Sequence, residues 1–256
     1  MLHVVSALKG YAIEATDGKL GTVSDFLIDD RNWALRWLVV DTGGWLTGRK
    51  VLIHPSAFGA IDYERQEMQV RLTRAQVKDS PDVAQDRPVS VQMEASLFTH
   101  YGWDPMWGGG GYLGGMAMGY PNGALPYYGR TPAHEIEGED IVTDDGDPHL
   151  RSLAAVRGYH VHATDGDIGH VEGFLLGDAP WGVRYLIIDT RNWWPGQHVL
   201  MAPLAVTEVS WSAHQIRLNV TRDAVKGGPP WDPAQIIEDA YQKRLHAHYG
   251  WAGYGW

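Results

Sequence analysis

Short apolar runs, many of them alternating with polar positions and broken by Gly, Asp and Asn, dominate the chain. That pattern predicts β-strands rather than long helices. Val4 to Leu8 and Tyr11 to Ala15 read as strands, and Asp17-Gly18 supplies a tight turn because glycine accepts positive φ without a steric penalty. Gly21 to Asp29 follows as a strand, Asp30-Arg31-Asn32 as a turn, and Trp33 to Asp41 as the strongest strand. In that segment Trp33, Leu35, Trp37 and Val39 share one face, and Ala34, Arg36, Leu38 and Val40 the other. Both faces are largely apolar, which predicts cover on both sides. Arg49 to His54, Ala60 to Glu64 and Met68 to Leu72 complete a set of about six or seven strands. In so small a unit, closure into a barrel is the economical way to remove sheet edges. Helical patterning follows the strands. Thr73 to Lys78 reads as a capped short helix ended by Ser80-Pro81, and a tail helix spans about Ser90 to Tyr101. Ala234 to His248 is its second-half equivalent, with Ile237, Tyr241 and Leu245 at i, i+4 spacing.

The whole pattern occurs twice. Gly10-Tyr11 and Ala15-Thr16-Asp17-Gly18 return as Gly158-Tyr159 and Ala163-Thr164-Asp165-Gly166, 148 positions later. The same offset relates Phe26 to Phe174, Trp33 to Trp181, Asp41-Thr42 to Asp189-Thr190, and Thr73-Arg74 to Thr221-Arg222. It also relates His100-Tyr101-Gly102-Trp103 to His248-Tyr249-Gly250-Trp251. Roughly thirty identities fall in about a hundred aligned positions, the mark of an internal duplication. The expected organisation is a first repeat over residues 1–103, a connector over 104–150 and a second repeat over 151–256.

Composition sharpens that division. The net charge of −10 splits into −2, −7 and −1 for the three segments, so the acidity belongs to the connector. Near-neutral repeats argue against binding along a nucleic-acid backbone. The absence of cysteine removes disulfides, thiolate metal sites and a thiol nucleophile from consideration. No basic stretch leads into an apolar run as a signal peptide would, and no apolar segment is long enough for a membrane helix. A cytoplasmic location is expected, or a peripheral one at the cytoplasmic face of a membrane.

The ordered set Gly-Tyr, Ala-Thr-Asp-Gly, Gly-x-Val, Phe-Leu, Trp-x-x-Arg, Leu-x-x-Asp-Thr and Trp-x-x-Gly resembles the PRC-barrel family. That β-barrel is named for the cytoplasmic domain of the photosynthetic reaction-centre H subunit, and it also occurs in ribosome-maturation factors. The likeness covers about 75 residues of each repeat. It implies a mainly β protein of two small PRC-like barrels, each followed by a short helical tail. The Tyr-Gly-Trp tail resembles that of soluble bacterial tandem PRC-barrel proteins. This chain carries neither the membrane helix of the H subunit nor the N-terminal RNA-binding domain of the maturation factors.

The connector has two parts. Residues 105–129 lack any charged side chain and hold nine glycines, three prolines and several aromatic residues. They read either as a flexible linker or as a segment that docks on the barrels or on a partner. Gly111, Gly115 and Gly119 have the spacing of a membrane-helix dimer motif, but the glycine and proline density opposes a membrane helix. Residues 134–149 are acidic and read as a solvated loop, without the spacing or closing glutamate of an EF-hand.

Candidate chemistry is sparse. His160 and His162 share a strand face and are weak candidates for a metal site, but their counterparts in the first repeat are Ala12 and Glu14. His246 and His248 point about 200° apart on a helix and make no joint site. Asp41 and Asp189 end the strongest strands and read as loop-fixing carboxylates, while Arg36 and Arg184 are candidates to pair with acids at one barrel end. No phosphate loop, nucleophile elbow or HExxH is present, so no catalytic residue, enzyme activity, cofactor or metal is expected.

Twelve tryptophans are the strongest positive signal. Trp33, Trp37 and Trp181 read as core. Trp45, Trp193 and Trp194 lie in loops, and Trp103, Trp107, Trp251 and Trp256 lie after helical tails. Those seven are candidate partner-binding residues, because aromatic side chains bury a large area with few rotors to freeze. Packing against the barrels is the competing reading of the same residues. The function expected is a non-catalytic interaction or scaffold protein with a protein partner, and a homo-oligomer is compatible with it. The alternatives are a soluble subunit or assembly factor of a membrane complex resembling a reaction centre, and a ribosome or RNA maturation factor.

Overall fold

A computed structural model describes residues 1–46, 48–81, 91–103, 147, 149–178, 180–190, 197–232 and 237–253. The first half runs β1 (Leu2–Val4), α1 (Val5–Leu8), β2 (Ala12–Ala15), β3 (Gly18–Asp29), β4 (Leu35–Asp41), β5 (Lys50–Ile53), β6 (Phe58–Asp62), β7 (Glu67–Val70), α2 (Arg74–Lys78) and α3 (Val91–Tyr101). The second repeats the order as β8 (Leu150–Ser152), α4 (Leu153–Val156), β9 (His160–Ala163), β10 (Gly166–Asp178), β11 (Trp181–Asp189), β12 (His198–Met201), β13 (Val206–Ser210), β14 (Gln215–Leu218), α5 (Arg222–Gly227) and α6 (Asp239–Tyr249). The protein is mainly β, with two seven-stranded sheets.

The two sheets have one strand order. The first runs β5-β4-β3-β2-β7-β6 and the second β12-β11-β10-β9-β14-β13. Each ladder is antiparallel except the β2–β7 and β9–β14 pairs, which are parallel. The seventh strand of each sheet comes from the other half. β1 pairs with β10 through Leu2↔Gly177, His3↔Leu176 and Val4↔Leu175. β8 pairs with β3 through Leu150↔Asp29, Arg151↔Ile28 and Ser152↔Leu27. All six pairings map onto one another under the 148-residue offset, so the exchange is reciprocal.

Side chains at the crossing follow the same symmetry with different chemistry. The His3 ring stacks 5.2 Å from the ring of Trp181 and lies 3.4 Å from Asp178. Arg151, its counterpart, lies 4.3 Å over the ring of Trp211 and 3.0 Å from Asp30. The Asp25 carboxylate of β3 accepts from the Ser152 hydroxyl at 2.5 Å and from Ala154 N at 3.2 Å, fastening α4 to the first sheet. One apolar cluster therefore runs through both halves, from Ile13, Phe26 and Trp37 to Val161, Val171 and Phe174. A second, around Tyr185, Leu200, Trp231 and Leu245, sits beneath α6.

Several sequence expectations change. Val4 to Leu8, read as a strand, is the end of β1 followed by a helical turn. Its apolar residues Val5 and Leu8 are three apart, and so brief a run fits one helical turn as well as a strand. Trp33 does not continue the β4 face. It sits at φ 60° in the turn and is buried there. β6 begins two residues before the expected Ala60. β4 is buried along nearly its whole length, as two-sided cover requires. Thr73 caps α2 through a complete capping box with Gln76.

Candidate functional site

The repeated motifs resolve into structural contacts. In Ala-Thr-Asp-Gly, the Asp17 carboxylate accepts from Arg74 N at 2.7 Å and Asp165 does the same for Arg222 N at 2.8 Å. Each thereby places an acid at the start of a short helix. Asp41 Oδ1 accepts from Gly43 N at 2.8 Å, which fixes the loop after β4. Gly21 and Gly169 permit β3 and β10 to pass against the ends of β4 and β11. A Cβ at Gly169 would sit 1.9 Å from the Asp189 carbonyl oxygen.

The His-Tyr-Gly-Trp tails form matched corners. His100 Nε2 lies 2.8 Å from the Gln76 carbonyl and His248 Nε2 lies 2.8 Å from the Ala224 carbonyl, tying α3 to α2 and α6 to α5. Gly102 and Gly250 adopt φ 64° and 68°, ending each helix in the left-handed conformation. The chain then folds back so that Tyr101 stacks on Trp103 at 4.2 Å and Tyr249 on Trp251 at 4.3 Å. His246 points elsewhere, with Nε2 2.9 Å from the Tyr185 hydroxyl and Nδ1 2.8 Å from the Ala252 carbonyl. Burial lowers its pKa.

Beneath α3 lies a buried charge cluster. Arg36 on β4 contacts Asp29 at 3.0 Å, Glu94 on α3, and Asp147 at 3.8 Å. Trp37 Nε1 donates to Glu94 at 2.5 Å. Burial pushes the Glu94 carboxyl up against the opposing pull of Arg36. Asp29 is desolvated as well, but hydrogen bonds and charge from Arg31 hold it below the usual carboxylate range. His54 packs against Trp37, Phe98 and Trp103, and burial together with the Arg36 charge lowers its pKa to about 4. This cluster bears out the expectation that Arg36 meets carboxylates. Gln242 and Tyr185 take the places of Glu94 and Trp37 in the second half, so the acid from the tail helix belongs to one repeat while Arg184 keeps the cation.

Of the seven tryptophans singled out from the sequence, Trp45, Trp103 and Trp251 are described, and each is half-buried against the core. The Arg74 guanidinium lies 4.6 Å over the Trp45 ring. Trp107, Trp193, Trp194 and Trp256 lie outside the described residues. Trp37 is fully buried, and Trp181 is partly buried at the crossing of the halves. Among the described residues, the exposed large apolar side chains are Met1 and Tyr63.

His160 is exposed, and His162 Nδ1 lies 2.6 Å from Asp167. A group with metal-ligand spacing lies elsewhere, at Glu172, Asp189 and His198, whose ligand atoms are all within 4.8 Å of one another. His170 adjoins it, with Nε2 3.7 Å from Asp189 Oδ2. His170 and His198 stand directly opposite Asp189 on the two flanking strands, which places all three side chains in one row across β10, β11 and β12.

Comparison with known proteins finds a likeness over part of the first half. Residues 5–77 match the PRC-barrel domain. The PRC-barrel match spans α1 through most of α2 and leaves the exchanged strand β1 outside it. An uncharacterized protein of Deinococcus radiodurans is 35% identical over 75 residues, which is 29% of this chain and 27% of that relative. The chain thus spans little more than a quarter of the length of that relative.

Proposed function

We propose that the protein is a non-catalytic interaction scaffold built from two PRC-type barrels that arose by duplication of one unit. The observation that carries this reading is what the repeated polar residues do. Asp17, Asp41, His100 and their counterparts Asp165 and His248 are engaged in capping and loop contacts, and among the described residues no nucleophile–base pair recurs in both halves. The PRC-barrel match over residues 5–77 and the reciprocal strand exchange support a rigid two-lobed platform. The partner is a protein, held through the tryptophan-bearing loops, with Trp45 the best placed of the described set. Among the described residues no helix is long and apolar enough to cross a membrane. A peripheral position on the cytoplasmic face, docked to a membrane-embedded complex, is the narrower form of the same proposal.

Cross-linking and mass spectrometry on soluble and membrane fractions, using tagged full-length protein, tests it. Cross-links from the Trp45 loop to one recurrent partner, lost in Trp45→Ala while the fold persists, are expected. Self-links alone in both fractions would overturn the partner reading. Links confined to a second copy would replace it with a homo-oligomer.

A further inference from the structure

The row across β10, β11 and β12 has no equivalent in the first half. Subtracting 148 places Thr22, Ser24, Asp41 and Lys50 where the second half has His170, Glu172, Asp189 and His198. The aspartate is common to both. In the first sheet, a lysine stands opposite it in register, Asp41↔Lys50. In the second sheet the residue opposite is His198 on one side and His170 on the other. Where the first sheet sets a fixed cation and a threonine beside the strand-end carboxylate, the second sets two imidazoles, side chains whose ring nitrogens ligate metals.

Geometry agrees with the substitution. Asp189 is fully buried, His170 and Glu172 are about one-third exposed and His198 about one-quarter. The cluster is therefore anchored from below by the sheet and reached from solvent above. Glu172 is the residue bulged out of the β10–β11 ladder between Val171 and Gly173. The bulge brings its carboxylate to 2.6 Å from His198 Nε2. His198 is braced by a β-bridge to Trp231, whose ring meets its own edge-to-face at 6.3 Å. One imidazole nitrogen and two carboxylates within mutual reach, with the His170 ring 3.7 Å from Asp189 as a fourth group beside them, give a nitrogen–oxygen ligand set suited to a divalent first-row metal. The His198–Glu172 contact would open to about 3.3 Å as a metal enters, the ligand separation of tetrahedral coordination at about 2 Å per bond.

We propose that Glu172, Asp189, His198 and His170 form a binding site for one divalent transition-metal ion of the Zn2+ class, present in the second half alone. The ion would pin the ends of three strands together. This is independent of the scaffold reading, which holds with or without a metal.

The test is titration of chelator-treated full-length protein with Zn2+ by calorimetry, alongside thermal melts. One equivalent is expected to bind and to raise Tm. His198→Gln and His170→Gln should each weaken that binding about tenfold or more, since changing even a group that only supports a ligand costs that much. His162→Gln, outside the cluster, should leave it unchanged. Asp189 is left intact because its burial makes a variant prone to unfold. Co2+ in place of Zn2+ should give visible absorption that disappears in His198→Gln. Absence of stoichiometric binding, or binding that survives both His170→Gln and His198→Gln, would overturn the site.

Discussion

Ala34 forms an antiparallel bridge with Gly182, the residue 148 positions later that is its own counterpart. Trp33 reinforces it, its carbonyl accepting from Val183 N at 2.9 Å. A residue that pairs with its own equivalent marks a local two-fold axis, as in an isologous dimer interface. β1 and β8 cross on either side of this axis, so each sheet is finished by the other half. Removing residues 1–4 should therefore loosen the second sheet, not the first. Hydrogen exchange should rise at the amides of Leu175 to Gly177, with those of Leu27 to Asp29 nearly unchanged. The reverse pattern would show that β1 belongs to its own half.

Arg36 contacts three buried acids, Asp29, Glu94 and Asp147. Removing the basic partner from a buried ion group leaves carboxylates desolvated and unpaired. Arg36→Met should cost about 3–5 kcal/mol in urea unfolding. Arg36→Met combined with Glu94→Gln, the residue the second half uses at that position, should recover part of the loss. A cost under about 1 kcal/mol would mean that water reaches the cluster.

His54 predicts how stability responds to acid. Its Nδ1 accepts from Ser56 N at 3.2 Å, so the neutral ring carries its proton on Nε2. Arg36 is the charged group facing it, and the rings of Trp37, Phe98 and Trp103 cover it. Folding lowers the pKa from 6.5 to about 4, so between those values the unfolded chain binds the extra proton. The stabilising contribution is complete above about pH 6.5 and is lost as pH falls through about 4. A shift of that size corresponds to about 3 kcal/mol. His54→Asn keeps an acceptor for Ser56 N but does not titrate. Unfolding free energies at pH 7 and pH 4.5 should diverge less for the variant than for the parent. Equal divergence would place the acid sensitivity elsewhere.

Much of the fold was readable residue by residue. The offset of 148 follows from the repeated motifs, and the Thr73 cap and the two-sided burial of β4 follow from local patterning. The strand exchange did not. Leu2-His3-Val4 and Leu150-Arg151-Ser152 are three-residue strands, and two similar sheets offer each nearly the same edge, so local sequence does not choose between them. The aromatic corners were visible as residues, but their Tyr–Trp stacking depends on a left-handed glycine that only the folded turn reveals. The metal-capable row escaped because its members lie on three strands with no motif spacing, whereas His160 and His162 are adjacent enough to notice. A signal existed nonetheless. Aligning the halves sets His170 against Thr22 and His198 against Lys50, a double change beside a shared aspartate.

The tail corners allow a test of backbone strain without a packing change. Gly102 and Gly250 sit at φ 64° and 68°, and a Cβ at either position would meet no atom within 4 Å. Alanine there adds no clash with the rest of the protein, so its cost is the local conflict between a Cβ and left-handed backbone, about 1 kcal/mol. The two sites have the same conformation and the same stacked Tyr–Trp pair, so Gly102→Ala and Gly250→Ala should cost nearly equal amounts in urea unfolding. Asn at either site should cost less than Ala, because its side chain tolerates this region better. The stacking depends on the reversal at the glycine. If the alanine variants instead straighten the tail, Trp103 or Trp251 fluorescence should shift to the red as its ring leaves the tyrosine. A loss well above about 2 kcal/mol with that red shift would identify the corner as a clasp holding the tail helix to its sheet. A loss near 1 kcal/mol without it would show the helix held by His100 or His248 and by the buried leucines alone.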